Sequence, residues 1–421
     1  MNSKGIILLG HFGAGNLGNE CTLQAVIERT LRRWPQASLL CACTDPVDVE
    51  SRHHITAFYW RLPESRQNGV MIDPRQPNVH TRIFRRIFRE LKHLPTCLRL
   101  LRQSDMLFVC GTGVVCDYST GPTGWPYDLF KWSALAALCR VRVLFLGIGV
   151  GPIRHPLSRW LIKRSLGFAV FRSYRDEASR EYMKRIGFRT ERDTVCPDLV
   201  FGLSRRVLRS NGGRARQRPV IGVGLKDYDA PSGLGETNTY QDYLAIMAAL
   251  VCWLWDQGYD VRLLIGDFHY DIRTTEDVIG AIKERFLEEG RVVAEPALTV
   301  EEIVRQLDET DLVISPRFHN LVLALMLNKP VIALSDHPKL DSLMGGLGLA
   351  DYNLPLGRLD VDRLIKLFVQ LQNNADVLKA HIRDKSEQYR KALDELYASA
   401  FAKAERPASG AIAGDAGLSG N

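Results

Sequence analysis

The 421 residues contain no apolar run long enough to cross a bilayer. The longest apolar region, Ser133 to Pro152, is broken by Arg140 and Arg142, and arginines at mid-membrane are costly to insert. The chain also lacks a signal-peptide core: only Ile6 to Leu9 precede a glycine-rich turn, so this segment reads as a first strand. Nine cysteines are scattered without any CxxC pair, which excludes a zinc ribbon and a disulfide framework and fits a reducing cytoplasm. No cluster of metal-ligating residues is visible, so neither a metal nor an organic cofactor is expected. No glycine loop is followed by Gly-Lys-Ser/Thr, which excludes a P-loop.

What is present is an ordinary globular composition, 46% hydrophobic with a net charge of +7. At this length two domains are expected. Short apolar runs alternate with helix-period segments, the pattern of parallel βα units. In the first half, strands are expected at Gly5 to Leu9, Ser38 to Ala42, Met106 to Cys110 and Val143 to Gly147, with a helix from about Glu20 to Trp34. The aperiodic segment 204–218, with Gly-Gly and many arginines, predicts a basic linker between a domain 1–203 and a domain 219–373.

The second half restarts the alternation. Strands are expected at Pro219 to Leu225, Val261 to Ile265, Val292, Asp311 to Ile314 and Pro330 to Leu334. Helices are expected at Tyr240 to Gln257, Thr274 to Glu289, Val300 to Leu307 and Phe318 to Leu327. A charged helix, 374–403, and a disordered Ala/Gly/Ser tail, 404–421, complete the reading. Two such α/β domains place a ligand in the cleft between them, at the carboxyl ends of the strands.

Charge is concentrated in two stretches. One, Arg82 to Arg102, carries seven cations against Glu90, with Ile83, Phe84, Ile87, Phe88, Leu91 and Leu94 at helical spacing. It reads as a solvated helix or as one lying on an anionic membrane face. The other is the linker itself. Neither interleaves aromatics on a stacking surface, so no nucleic acid is expected.

Three glycine loops follow strands: Gly10 to Glu20, containing Asn16, Gly18 and Asn19; Gly111-Thr112-Gly113; and Gly147-Ile-Gly149-Val-Gly151. At the rim of a parallel sheet they can aim backbone donors at a phosphate or sugar. The first can equally be a tight turn capped by Asn19. Arg175, just after an apolar run, can hold a carboxylate in a bidentate pair or can pair with Asp176 or Asp198. The most informative segment is Ser315-Pro-Arg317-Phe-His319-Asn, where an apolar strand gives way to an apolar helix. Arg317 and His319 are expected in its first turn, where burying them unpaired would be costly and the helix field favours an anionic ligand.

The string Ser315-x-Arg317-x-His319, then Pro330-Val-Ile-Ala, Lys339 and Leu347-Gly348-Leu349, resembles the polysaccharide pyruvyl transferase family. Supporting pieces are Asn16-Leu-Gly18, Gly111-Thr112-Gly113, Gly147-Ile-Gly149-x-Gly151-Pro152, Arg175-Asp176-x-x-Ser179 and Pro197-Asp198, all in family order.

The resemblance implies two Rossmann-like domains with parallel sheets facing across a cleft, the GT-B-like arrangement. It implies phosphoenolpyruvate as donor and a polysaccharide or lipid-linked oligosaccharide as acceptor, with a pyruvate ketal formed on sugar hydroxyls. On this basis Arg175 and Arg317 would bind the donor and His319 would be the general acid. Asn16, Gly18, Gly111, Thr112, Gly113, Gly149, Ser315 and Lys339 would line the site. The chain departs from the family at Asn19, where a carboxylate is usual. The alternatives are a GT-B-like glycosyltransferase using a nucleotide sugar and a non-catalytic glycan-binding protein.

Overall fold

The computed structural model describes residues 4–63, 79–118, 120–208, 217–228, 239–267, 270–282 and 290–406, with side chains from residue 84 onward in the helix that begins at Val79. Part of the expected linker (209–216), part of an expected helix (283–289) and most of the expected tail (407–421) lie outside the described residues.

The chain forms two parallel sheets, each flanked by helices. The first holds β1 (Gly5–Leu9), β2 (Ser38–Cys43), β3 (Thr56–Tyr59), β4 (Met106–Cys110), β5 (Arg142–Ile148), β6 (Ala169–Tyr174) and β7 (Thr194–Val195) in the order β3-β2-β1-β4-β5-β6-β7. The second holds β8 (Val220–Gly224), β9 (Asp260–Leu264), β10 (Val292–Ala294), β11 (Leu312–Ser315), β12 (Val331–Ser335) and β13 (Asn353–Pro355) in the order β10-β9-β8-β11-β12-β13. Central strands such as β1, β4 and β11 are buried on both faces, which explains why they appear in the sequence as unbroken apolar runs rather than alternating ones.

In each sheet the strand order reverses beside the first strand, between β1 and β4 and between β8 and β11. Such a switch point opens a crevice at the carboxyl ends of the strands. The two crevices meet. Asn16, just past β1, forms an antiparallel bridge with Asp267, just past β9, and the Leu17 amide donates to the Gly266 carbonyl at 3.3 Å. The GT-B-like arrangement is therefore the observed one.

Several expectations shift. The first helix spans Leu17–Arg33, three residues earlier than expected at its start, and its N-cap is Asn16 rather than Asn19. The Asn16 Oδ1 accepts from the amides of Gly18 (3.1 Å) and Asn19 (3.3 Å), because an acceptor side chain just before the first turn satisfies the amides that have no intrahelical partner. The Asn19 side chain instead donates to the His11 carbonyl at 2.9 Å.

The last helix, Ala375–Glu405, does not stay with the second sheet. It crosses back onto the first domain, where Phe401 packs on Trp34 and Phe108 and Arg33 pairs with Glu405 at 2.8 Å. Its apolar stripe, Leu393, Leu396, Tyr397, Ala400, Phe401 and Ala404, is buried in the core that joins both halves. A helix with so narrow a stripe and such charged flanks needs that second surface to be stable.

Candidate functional site

The site is built where the two crevices oppose each other. β11 ends at Ser315, whose buried hydroxyl accepts from the Arg317 amide at 3.0 Å and ties down the turn. Arg317 is therefore not in the first helical turn. It is the N-cap of helix Phe318–Met326, in extended conformation (φ −90°, ψ 116°), and its side chain makes no cap bond.

The Arg317 guanidinium binds Asp271, which is fully buried. Asp271 also accepts from the amides of Gly266 (2.9 Å) and Asp267 (2.8 Å). This buried carboxylate orients one edge of the arginine fork, while the Arg317 Nε is buried with no hydrogen-bond partner among the described residues. Gly266 permits the contact, since a Cβ there would lie 2.9 Å from the Arg317 Cγ.

His319 follows in the first turn of the same helix and reaches across to the first domain. A Cβ on Gly18 would stand 1.8 Å from its Nδ1, so glycine is the residue that lets the imidazole lie flat on the β1 loop. The His319 Nε2 is buried without a partner among the described residues, which is not the state of a satisfied helix-start histidine. Desolvation lowers its pKa to about 4; Asp198 opposes that shift, while Lys339, Arg175 and Arg317 add to it.

Arg175 comes from the end of β6. Its Nε lies 3.5 Å from Asp176 Oδ2 and its Nη1 3.8 Å from Asp198 Oδ2. Both are loose ion pairs, and Nε has no hydrogen-bond partner among the described residues. The guanidinium lies 5.3 Å from the Phe318 ring centroid, and the Lys339 ammonium 5.9 Å from that centroid. Gly149 is held flush against Arg175, with space of only 2.5 Å for a Cβ.

Lys339 sits in the first turn of helix Pro338–Gly346, after β12, with no ion pair among the described residues. Desolvation first, and then the positive charges of Arg175, Lys226 and Arg317, lower its pKa to about 7. Together Arg175, Phe318 and Lys339 line a small open space of about 50 Å3 with Asp176, Asp198 and Tyr389.

The structure thus brings Arg175, Arg317, His319, Lys339, Gly18 and Gly149 together. Asn16 closes the floor between the domains, its amide donating to Asp267 at 3.2 Å. Ser315 lies beneath the surface. Thr112 is also buried, its hydroxyl accepting from the His11 amide at 3.0 Å, and Gly111 packs on the Gly147 carbonyl. Gly113 is exposed with open space around its Cα.

Sequence reasoning missed Asp271, Lys226 and Asp336. Lys226, after β8, pairs with Asp336, after β12. Their only sequence signal is position: each follows a strand of the second sheet, as Arg317 does.

The fold is similar to that of UDP-GlcNAc 2-epimerase from Neisseria meningitidis bound to UDP-GlcNAc, at 13% identity over 95% of this chain and 100% of that one, with a TM-score of 0.54. It is similar to S. aureus MnaA solved with UDP, at 12% identity over 93% of this chain and 94% of that one, TM-score 0.59. It is also similar to Anabaena Alr3699/HepE in complex with UDP and glucose, at 14% identity over 94% and 99%, TM-score 0.55. At such identities the likeness shows the fold alone. No curated protein matches the sequence. The family model for polysaccharide pyruvyl transferase matches residues 16–338, a span that holds Asn16, Gly18, Arg175, Arg317 and His319 of the cleft and ends one residue before Lys339, and the chain belongs to that family.

Proposed function

We propose that the cleft binds phosphoenolpyruvate and transfers its three-carbon unit, as a pyruvate ketal, to two hydroxyls of a polysaccharide or lipid-linked saccharide. The observation that carries this reading is the convergence of Arg175, Arg317 and Lys339 on His319, with two guanidinium Nε atoms and one imidazole nitrogen buried without a hydrogen-bond partner among the described residues. Such groups await a ligand that is strongly anionic and rich in acceptors. Phosphoenolpyruvate carries roughly three negative charges near neutral pH.

In this reading the Arg317 fork, preset by Asp271, and the Arg175 fork take the carboxylate and phosphate oxygens. A proton added to the methylene carbon makes C2 electrophilic and leaves a methyl group. One acceptor hydroxyl adds to C2, the C2–O bond to phosphate breaks, and the second hydroxyl closes the ketal. Of the two hydroxyl protons released, one replaces the proton given to carbon and the other leaves on the phosphate.

His319 is the donor of that proton, and in the protein alone it is neutral at pH 7, since its pKa is about 4. The bound anion must therefore raise it, and Asp198 assists. Lys339, near 7 in the protein alone, is driven to its charged form by the same anion. Donor binding is thus expected to take up protons. Phosphate release from phosphoenolpyruvate in the presence of acceptor, abolished in His319→Ala, tests the assignment; near-normal release by that variant overturns it.

The same reading has the saccharide presented at an anionic lipid surface. What supports it is helix Val79–Arg102, which exposes Phe84 (71%), Ile87 (53%), Phe88 (50%) and Leu91 (63%) next to Arg85 and Lys92. An apolar stripe flanked by cations matches an acidic bilayer interface, whereas a second copy of the helix would oppose like charges. Among the described residues no helix is long and apolar enough to cross a membrane. Flotation with phosphatidylglycerol vesicles at low salt should carry the protein upward, and failure to float removes this part of the reading.

A further inference from the structure

A second cleft, of about 360 Å3, opens in the first domain on the other side of the β1 loop. Its floor is aromatic. Trp60 and Trp125 lie with ring centroids 3.9 Å apart, and His11 meets Trp125 edge-on at 4.9 Å. Tyr59 and Thr44 continue one wall, and Arg86, Arg89 and Glu90 of helix Val79–Arg102 form the opposite one, with Arg61 beside them. The walls are anchored from behind: Glu90 accepts from Lys131 at 2.9 Å, Arg61 binds the buried Asp128, and His11 Nδ1 lies 2.9 Å from the Thr44 hydroxyl.

We infer that this cleft is the saccharide subsite, taking the face of a hexopyranose ring on the Trp60/Trp125/His11 floor and an anionic substituent of that sugar toward the Arg86/Arg89 wall. Three observations converge on it. Trp125 and His11 are partly exposed in this concave site, with Trp60 buried against Trp125; such a surface suits the apolar C–H face of a pyranose, while charged and hydroxyl side chains around it suit ring hydroxyls. The lining carries three arginines against one glutamate, a balance that favours an acidic sugar over a basic one.

The third observation is position. The β1 loop that separates the two clefts is in direct contact with both: Gly18 lies against His319, and His11, seven residues earlier, lines the aromatic cleft. Asn19 spans the loop, its amide donating to the His11 carbonyl at 2.9 Å. A carboxylate at 19 could accept but not donate, and would face that carbonyl with like polarity. The departure of the chain from the family pattern at this position therefore falls on a residue that fixes the wall of the saccharide cleft. Asn19 is a positioning residue for His11, not a group that touches the sugar.

This inference rests on reading the chain as a transferase to sugars, but its test does not require the donor. The full-length protein is titrated by calorimetry with galactose 1-phosphate, mannose 1-phosphate and methyl β-galactopyranoside, and thermal stabilisation by phosphoenolpyruvate is measured separately. The expected result is saturable binding of at least one hexose 1-phosphate, tighter than the neutral glycoside. Affinity should fall about tenfold in Trp125→Ala and several-fold in Arg89→Ala, with stabilisation by phosphoenolpyruvate unchanged.

Should Trp125→Ala fail to fold, Trp125→Phe and Arg89→Ala carry the comparison. Equal affinity in wild type and variants, or no binding of any of the three saccharides, overturns the assignment. Loss of phosphoenolpyruvate stabilisation in the wild type alongside intact, Trp125-dependent sugar binding would overturn the donor reading and leave the cleft assigned.

Discussion

The two sheet rims that face each other across the cleft are made of opposite materials. The rim of the first sheet is mostly glycine and amide: Gly18, Gly149 and Asn16 allow close approach and bridge the domains, while Arg175, with Asp176 and Asp198 beside it, carries its charge. The rim of the second sheet carries charge: Lys226, Arg317 and Lys339 each follow a strand, braced by Asp271 and Asp336. One rim supplies shape and the other field. His319 stands where the two meet, its pKa set by burial and by the field and its placement by the missing Cβ.

The largest expected effect breaks the chemistry where the rims touch. His319→Ala should lower turnover on the order of 10² to 10⁴-fold with donor affinity little changed, checked by steady-state phosphate release. Gly18→Ala comes next: a Cβ 1.8 Å from the imidazole must displace it. A shift of that size is expected to cost about 10²-fold in turnover while leaving the second rim able to bind donor, a split visible in kcat against KM.

A smaller effect isolates the field. Lys339 has a folded pKa near 7 against an ordinary value of 10.5. Its charged form would bind the anion, so the Lys339 contribution to donor affinity is expected to be full below pH 7 and to weaken above it, approaching about tenfold per pH unit until the raised pKa of the complex is passed. Calorimetry across pH 6 to 9 should give that slope, and Lys339→Met should flatten it. The smallest effect is Asn19→Asp, which removes one hydrogen bond worth about 1 kcal/mol and should raise acceptor KM several-fold without touching donor binding.

How much of this was legible in the sequence follows from the same contrast. Strands buried on both faces, such as Met106–Cys110, stand out as apolar runs, and the Arg317/His319 junction is visible because polar residues interrupt such a run at a helix start. The short edge strand at Val292 was visible, but two others were not. Thr56–Tyr59 and Asn353–Pro355 are three or four residues long and half-polar, too brief for periodicity to speak. The N-cap was misplaced by three residues because Asn16 and Asn19 are both good caps, and what decides between them is that Asn16 accepts from the first-turn amides while Asn19 is spent on His11.

The site was legible where one residue carries a reactive group and illegible where a partner lies far along the chain. Asp271 is 46 residues from Arg317 and belongs to no recognisable motif. The aromatic cleft has the same cause, since Trp60 and Trp125 come from different strand–helix connections. Ser315 and Thr112, expected to line the site, use their hydroxyls on backbone amides beneath it, a role that their sequence neighbourhood does not distinguish from ligand binding.

The central claim is that the paired rims form an anion site for phosphoenolpyruvate. It is tested most directly by calorimetric titration of the wild type and of Arg317→Ala with phosphoenolpyruvate, in two buffers of different ionisation enthalpy, with UDP-GlcNAc as the comparison ligand. The account predicts that phosphoenolpyruvate binds the wild type with net proton uptake at pH 7.5, that Arg317→Ala loses this binding, and that UDP-GlcNAc binds weakly or not at all. Tight binding of UDP-GlcNAc with no detectable binding of phosphoenolpyruvate would contradict it.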